Sequence, residues 1–349
     1  MVAIDVSLFE IFRGYSSLVA PRFFNIPSRI NLSQLQDFFL HSLLTHPHLQ
    51  QFPPSNQYQK VFWKWAIQVM ESFLLNEDEE IDSRFYDYYL SLGSYVSESD
   101  KGDFSTQSTF TLSTPPSQSY ITYYFPQECL PSSAINLDNL FRFTLLESRT
   151  MIENGTTGLR TWKASFVLGE FLLLNPGLVQ EKRVLELGSG TGFLGTVIAA
   201  IQLQRMSPST TLYLTDIDEH VLFQCRRNIE LPCNLSATHP CICCRTLDWN
   251  SSKDDVIIRD CQTFLSECNA EIIVGADVVF DPKIIPALVC TLKLSLEVKA
   301  VGPRTAFIAL TQRNMTTISL FLDELRGMYT VEYSTGFYLI SCRCWFAAQ

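Results

Sequence analysis

The second half of the chain alternates strand-like and helix-like segments, and this alternation limits the possible folds more than any other feature. From about residue 154 onward, short apolar runs such as RVLEL and TLYLTD are followed by segments with helical spacing such as FLGTVIAAIQLQ. Strands that alternate with helices predict a parallel sheet with helices on both faces. Five such strands, followed by two strand-like runs on either side of Gly336, predict a seven-stranded α/β sheet with one antiparallel strand near its end.

The first part of the chain follows a different pattern. Residues 1–96 have mainly helical periodicity, and one helix of this part carries an apolar stripe formed by Phe62, Ala66, Ile67, Met70, Phe73 and Leu74. Residues 97–119 are rich in Ser and Thr and poor in bulky apolar side chains, which is typical of a flexible linker. We therefore predict an N-terminal helical domain over 1–96, a linker over 97–119 and an α/β domain over 120–349.

Charge and hydropathy argue against several classes of protein. The 349 residues carry a net charge of −10, whereas a general nucleic-acid binder needs a basic surface. No apolar run approaches the ~18 residues of a membrane-spanning helix, and the N-terminus has Asp5 and Glu10 where a secretory leader would be basic. We therefore expect a cytoplasmic monomer that binds neither nucleic acid nor a membrane, with its eleven cysteines reduced.

The densest cysteine cluster allows two interpretations. Cys241, Cys243 and Cys244 could be zinc ligands, but the C-x-C-C spacing lacks the C-x2-C pairs of common zinc sites. The three residues also lie in the strand-like run CICCRTLDW, where cysteine acts as a small apolar side chain. We favour the second interpretation and predict no metal site.

The stretch ELGSGTGFLG, from Glu186 to Gly195, carries two overlapping ligand-binding patterns. From Gly190 it matches G-x-G-x-x-G, which is typical of loops that hold a dinucleotide pyrophosphate. From Glu186 it matches E-x-G-x-G-x-G, the pattern of loops that bind the methyl donor S-adenosylmethionine. In both cases glycines let the ligand approach the backbone at a helix N-terminus. Asp216, at the end of the next strand, suits the ribose hydroxyls of either ligand.

Three further features favour the methyl donor over a dinucleotide and therefore a methyltransferase over an oxidoreductase. A carboxylate at Glu186 would repel an anionic pyrophosphate but attract the ammonium and sulfonium charges of S-adenosylmethionine. A helix that begins near Trp162 precedes the loop, whereas dinucleotide-binding domains usually begin close to theirs. Asp248 and Trp249 end the third strand, where an acid and an aromatic ring suit an adenine.

The fourth strand ends in VGADVVFD, at the same predicted edge of the sheet as the glycine loop. Methyl transfer to nitrogen needs a neutral amine that is in line with the methyl group in a dry channel. Asp277 could accept an N–H from this amine, and Phe280 could form a wall of the channel. An aspartate at the end of a strand can instead cap the next helix, but Asp281, before Pro282, suits that role better than Asp277.

The chain resembles the seven-β-strand protein lysine methyltransferases in five ordered segments: ENGTTGLRTWKASFVLGEFLLLNP, VLELGSGTGFLGTVIAA, LTDIDEHVL, LDW and GADVVFDPKIIPALV, the last with a D-x-x-F element. Three stretches are similar to the elongation factor 2 lysine methyltransferase subfamily: NGTTGLRTW, FIALTQRNMTTISLFLDEL and HPHLQQFPPSNQYQKVFWKW. The resemblance covers most of the chain and is weakest over Ser94 to Ser119, which looks like an insertion.

The resemblance implies a fold, a cofactor, a substrate and a site. The fold would be the Rossmann-like, seven-stranded sheet of class I methyltransferases, and the N-terminal domain would help to recognise a folded protein substrate. The reaction would be S-adenosylmethionine-dependent methylation of a lysine in translation elongation factor 2, up to trimethyl-lysine. Asp277 and Phe280 would face that lysine. The cofactor would contact Trp162, Gly188, Ser189, Gly190, Asp216, Trp249 and Ala276, to which the charge argument adds Glu186.

Two alternatives remain open from the sequence. A lysine methyltransferase of the same fold that acts on another translation factor or on a chaperone would share the D-x-x-F element, so only the N-terminal resemblance distinguishes the two. A non-catalytic protein that keeps the fold and binds the cofactor is the other alternative. The complete set of Glu186, the glycine loop, Asp216 and Asp277 speaks against it.

Overall fold

The computed structural model describes the chain in nine stretches: 3–74, 79–93, 118–127, 134–153, 155–250, 255–297, 303–326, 330–333 and 338–344. The chain divides into two compact units, Met1–Arg149 and Thr150–Gln349. Across the described ranges, no helix is long and apolar enough to cross a membrane.

The first unit contains helices and two small antiparallel strand pairs. Its helices are α1 (Val6–Ser16), α2 (Leu32–Asp37), α3 (Pro47–Gln51), α4 (Asn56–Glu71) and α5 (Ser83–Ser91), with a π-helical segment at Phe38–Leu44. Its strands are β1 (Ala3–Asp5), β2 (Gln118–Pro126), β3 (Ala134–Asn136) and β4 (Leu140–Ser148). Strand β1 pairs with β3, and β2 pairs with β4.

Helix α4 forms much of the core of this unit. It begins after Ser55, whose hydroxyl accepts a hydrogen bond from the Tyr58 backbone N–H at 3.4 Å. The predicted stripe is confirmed for the four residues inside the helix, but α4 ends at Glu71, so Phe73 and Leu74 lie beyond it and Leu74 is 39% exposed. Trp63 is fully buried beside the stripe.

The first unit extends further along the chain than the sequence predicts. The predicted boundary places residue 120 at the start of the α/β domain, whereas the β2–β4 hairpin belongs to the unit that ends at Arg149. Packing accounts for the difference: the Tyr124 ring lies 4.9 Å from that of Phe12 on α1. His48 of α3 also hydrogen-bonds through Nε2 to the hydroxyl of Thr122 on β2, at 3.1 Å.

The second unit alternates helices with the strands of one sheet. Its strands are β5 (Arg183–Leu187), β6 (Thr211–Asp216), β7 (Ile242–Thr246), β8 (Ile272–Ala276), β9 (Arg304–Leu310), β10 (Thr330–Tyr333) and β11 (Tyr338–Cys344). Its helices are α6 (Lys163–Leu174), α7 (Phe193–Gln204), α8 (Glu219–Ile229), α9 (Asp255–Cys268), α10 (Ile285–Leu296) and α11 (Met315–Arg326).

The sheet has the order β10-β11-β9-β8-β5-β6-β7. Strands β5 to β9 are parallel, which confirms the predicted parallel α/β arrangement, and β11 pairs antiparallel with both β9 and β10. The strand order reverses between β5 and β8, which lie side by side. From β5 the chain continues to β6 and β7 on one side of this point, and from β8 it continues to β9 on the other side. Ligands of such sheets bind outside the carboxyl ends of the strands at this reversal point.

Apolar residues of the strands cover both faces of the sheet. Leu185, Ile273 and Ile308 join a buried cluster with residues of α9, α10 and α11. Phe307, next to Ile308 on β9, points to the other face and lies 5.9 Å from the ring of Phe171 on α6. Burial on both faces explains why these strands are almost continuously apolar.

Candidate cofactor and substrate site

A cavity of about 510 Å³ opens at the carboxyl edge of the sheet. All of its walls come from the second unit: the segment before α6, the glycine loop after β5, the ends of β6, β7 and β8, and the segment after β9. Its volume lies within the range of sites for small molecules and cofactors, about 300 to 1,000 Å³. Nine of the ten predicted site residues line it: Trp162, Gly188, Ser189, Gly190, Asp216, Trp249, Ala276, Asp277 and Phe280.

The glycine loop adopts a backbone that side chains would disturb. Gly188 and Gly190 have φ angles of +68° and +52°, in the left-handed region. A Cβ at Gly188 would lie 2.9 Å from Val278 and 3.7 Å from the Trp249 ring. A Cβ at Gly190 would lie 3.1 Å from the Gly158 carbonyl oxygen. The loop therefore packs directly against the GTTGL segment and leaves its backbone open towards the cavity.

Asp216 connects the end of β6 to this loop. Its Oδ2 accepts a hydrogen bond from the Gly190 backbone N–H at 3.1 Å, and its Oδ1 accepts one from the Asp218 N–H at 3.2 Å. Burial raises the pKa of the Asp216 carboxyl above its ordinary value, although the backbone donors oppose this shift. The residue combines two functions in one position: it holds the loop and presents a carboxylate to the cavity.

Glu186 is the predicted cofactor residue that does not line the cavity. It lies within β5, only 2% exposed, and one of its carboxyl oxygens, Oε2, has no hydrogen-bond partner. Burial raises the pKa of Glu186 to about 8, while a hydrogen bond with the Ser189 side chain opposes this shift. The carboxyl group is therefore mostly protonated at neutral pH, which weakens the charge argument that the sequence suggested for it.

Two tryptophans line the cavity. Trp162 precedes α6, and its Nε1–H donates to the Thr157 carbonyl oxygen at 3.0 Å, which fixes the ring against the GTTGL segment. Trp249 follows β7, and its ring lies near Gly188, where an added Cβ would be 3.7 Å from it. Asp248 also lines the cavity, as the adenine argument requires.

Asp277 follows β8 and has a φ angle of +56°, a conformation that non-glycine residues adopt only when the surroundings impose it. Its Oδ1 accepts from the Thr311 backbone N–H at 2.8 Å, and its Oδ2 accepts from the Thr311 hydroxyl at 2.8 Å. Oδ2 also accepts from the Ala164 N–H at 3.5 Å, in the first turn of α6. The carboxylate thus connects β8, α6 and the segment after β9, a role beyond the predicted one.

The mouth of the cavity is apolar and exposed. Phe280, the aromatic residue of the D-x-x-F element, is 60% exposed. Met151 and Ile152 line the same cavity and are 63% and 65% exposed, although their sequence context did not single them out. Asp281 accepts a hydrogen bond from the Lys283 N–H at 2.9 Å and caps the following turn, which confirms the assignment of the cap to Asp281.

Arg313 is a further cavity residue that the sequence did not reveal. Its guanidinium group lies 4.5 Å over the Trp162 ring and 3.3 Å from Asp277 Oδ2. The segment FIALTQRNM supported a family resemblance, but nothing in its spacing connected Arg313 to an aspartate 36 positions earlier.

The site fits S-adenosylmethionine on the evidence of its own residues. Glycines with left-handed φ angles line the cavity, a half-buried carboxylate at Asp216 holds their loop, and two aromatic rings lie on the walls. No group of three His, Cys, Asp or Glu side chains within the described ranges could hold a metal ion. Cys243, one of the three clustered cysteines considered above as zinc ligands or small apolar side chains, lies on β7 and is exposed.

Comparison with known proteins agrees with this geometry. A family model described as lysine methyltransferase matches residues 145–326, more than half of the chain. The chain belongs to the lysine methyltransferase family. This match confirms the predicted family and, with it, S-adenosylmethionine as the cofactor.

Individual relatives carry related names. The chain is 33% identical over 215 residues to protein-lysine N-methyltransferase EFM3 of Chaetomium thermophilum, with 58% of this chain and 55% of that protein covered. It is 28% identical over 301 residues to protein-lysine N-methyltransferase EEF2KMT of Homo sapiens, with 84% of this chain and 77% of that protein covered. A solved structure, a putative O-methyltransferase from Klebsiella pneumoniae, shares 17% identity at a TM-score of 0.35, with 52% of this chain and 80% of that chain covered. The match spans about half the length of EFM3.

Proposed function

We propose that the chain transfers methyl groups from S-adenosylmethionine to a lysine of translation elongation factor 2, up to trimethyl-lysine. The observation that carries this proposal is that the glycine loop and the D-x-x-F residues Asp277 and Phe280 line one cavity. Family membership supports lysine as the acceptor, and the names of the relatives EFM3 and EEF2KMT support a protein substrate.

We assign the cofactor to the part of the cavity between the glycine loop and Trp249. Asp216 would accept hydrogen bonds from ribose hydroxyls, and Asp248 with Trp249 would bind the adenine through its amino group and its face. Trp162, Ser189 and Ala276 would form the remaining contacts. When bound, S-adenosylmethionine supplies a methyl group activated by the positive charge on its sulfur.

The chain's own contribution at the acceptor end is to position the lysine and exclude water. The apolar mouth formed by Phe280, Met151 and Ile152 would surround the hydrocarbon part of the lysine side chain. Burial there disfavours the charged ammonium form and thus favours the neutral amine that the transfer requires. Asp277 holds the start of α6 and the segment after β9 in the geometry that shapes this mouth.

Transfer to elongation factor 2 can be tested in a lysate of cells that lack this protein, since the endogenous sites there are unmethylated. The purified chain and isotope-labelled S-adenosylmethionine are added, and the labelled proteins are identified by mass spectrometry. We expect one labelled band, elongation factor 2, with up to three methyl groups on one lysine. A labelled chaperone or another translation factor would overturn the substrate, and no label in any protein would overturn the activity.

Cofactor binding can be tested separately by calorimetry with S-adenosylhomocysteine. We expect Asp216→Ala to weaken binding at least tenfold, because the variant loses both the carboxylate and its hydrogen bond to the loop. Glu219→Ala is the matched control: Glu219 is an exposed acid three residues away that does not line the cavity. Equal affinities for wild type and Asp216→Ala would contradict the assignment of this part of the cavity.

A further inference from the structure

The carboxylate of Asp277 contacts four donors in the structure, and one of them differs in kind. The Thr311 N–H, the Thr311 hydroxyl and the Ala164 N–H are neutral groups. The fourth donor is the guanidinium of Arg313, whose Nη2 lies 3.3 Å from Asp277 Oδ2. Because a carboxylate has about four acceptor positions, Asp277 has little capacity left for an N–H of the substrate.

Arg313 is held between two partners at the wall of the cavity. Its guanidinium carbon lies 4.5 Å above the Trp162 ring, within the range of a cation–π contact. The Arg313 side chain is 47% exposed, whereas the Asp277 side chain is 9% exposed. Both side chains line the cavity, and the cation is the more exposed member of the pair.

This arrangement matters because methyl transfer needs a neutral amine. A lysine has an ordinary pKa of about 10.4, and an unpaired carboxylate close to it would raise this value further and keep the amine protonated. A carboxylate and the guanidinium paired with it have almost no net charge together. The apolar mouth can then lower the pKa of the lysine by desolvation. A buried Asp277 without a cationic partner would therefore oppose the reaction.

We propose that Arg313 is a positioning residue that keeps the target amine neutral by cancelling the charge of Asp277. This inference rests on the proposed function. The other charged side chains of the cavity wall are Arg160, Asp216 and Asp248, and Lys163 follows Trp162 at the start of α6. None of these four residues contacts the Asp277 carboxylate in the described hydrogen bonds and ion pairs, so only Arg313 combines cavity exposure with direct pairing.

The test compares kcat as a function of pH for the full-length wild type, Arg313→Gln and Arg313→Lys, with elongation factor 2 and labelled S-adenosylmethionine. The acidic limb of the kcat profile reports the ionisation of groups in the enzyme–substrate complex, including the bound lysine. We expect Arg313→Gln to move this limb to higher pH by about one unit, since the pair is partly exposed and its charge effect is screened. Arg313→Lys keeps the charge and should leave the limb close to its wild-type position.

Two further measurements separate this role from a structural one. Arg160→Gln removes a positive charge from the same wall without breaking the Asp277 pair, and its limb should move less than that of Arg313→Gln. Calorimetry with S-adenosylhomocysteine should give affinities within a few-fold of wild type for all three variants. If the kcat of Arg313→Gln fell by the same factor at every pH, this inference would be overturned while the proposed function would stand. A wild type that methylates nothing would overturn the proposed function and the inference with it.

Discussion

At the scale of single residues, Glu186 links the stability of the chain to pH. Its pKa in the folded protein is about 8, because the carboxyl group is buried, against an ordinary value of 4.5. Between these two pH values the folded chain binds one more proton at Glu186 than the unfolded chain does, so the stability of the fold decreases as the pH rises. Replacement of Glu186 by glutamine removes this term and keeps the shape of the side chain.

We therefore expect Glu186→Gln to melt a few degrees above wild type at about pH 8, with a smaller difference near pH 5. Thermal melting followed by circular dichroism across this pH range measures the effect. Glu219→Gln is the control, because Glu219 is an exposed carboxylate and should give no such trend. A difference between Glu186→Gln and wild type that does not change with pH would contradict the expectation.

The residues of the site were predictable to different degrees, for a physical reason. Asp216, Trp249 and Asp277 lie at or just beyond the carboxyl ends of successive parallel strands. Because these ends meet at one edge of the sheet, sequence position alone brings the three residues together. Arg313 reaches Asp277 only through the pairing of β8 with β9, which puts the Asp277 N–H 2.9 Å from the Ala309 carbonyl oxygen. A local pattern contains no information about that pairing.

At the scale of elements, the glycine loop and the GTTGL segment form a single wall. A Cβ added at Gly190 would lie 3.1 Å from the Gly158 carbonyl oxygen, so a methyl group there fits only if one of the two segments shifts. We expect Gly190→Ala to push the loop away from this segment, to weaken binding of S-adenosylhomocysteine at least tenfold, and to cost about 1 to 2 kcal/mol of stability from its left-handed φ. Calorimetry and chemical denaturation measure the two effects independently.

Gly155 provides a close comparison for this prediction. Its φ is +79°, so alanine there meets a similar backbone cost, but nothing lies within 4 Å of the added Cβ. Gly155→Ala should therefore lose a similar amount of stability and keep its affinity for the cofactor product. Equal losses of affinity in the two variants would show that backbone strain, and not the close approach to Gly158, governs the loop.

The helices and strands of the second unit were predictable because their periodicity is strong, while the limits of elements were less so. The end of α4 at Glu71 cuts the predicted stripe before Phe73, since apolar spacing does not show where the backbone hydrogen bonds stop. The role of residues 120–149 could not be predicted either, because a hairpin carries no sign of the partner it packs on. The predicted linker, 97–119, lies almost entirely outside the described residues.

At the scale of the whole molecule, the division after Arg149 predicts where the chain can be cut. A truncated chain that begins at residue 118 keeps the β2–β4 hairpin but loses α1 and its Phe12, which covers Tyr124. Loss of this cover exposes residues of a buried apolar cluster, so we expect this chain to aggregate, as light scattering would show. A chain that begins at residue 150 lacks the hairpin and should remain monodisperse.

The chain that begins at residue 150 also separates binding of the cofactor from recognition of the substrate. It retains every residue that lines the cavity, so its affinity for S-adenosylhomocysteine should stay within a few-fold of that of the full chain. If the first unit helps to recognise a folded substrate, as the family resemblance implies, transfer to intact elongation factor 2 should fall at least tenfold, while slow transfer to a short lysine peptide should be unaffected. Full activity on the intact factor would contradict that role, and loss of cofactor binding would instead mean that the second unit needs the first in order to fold.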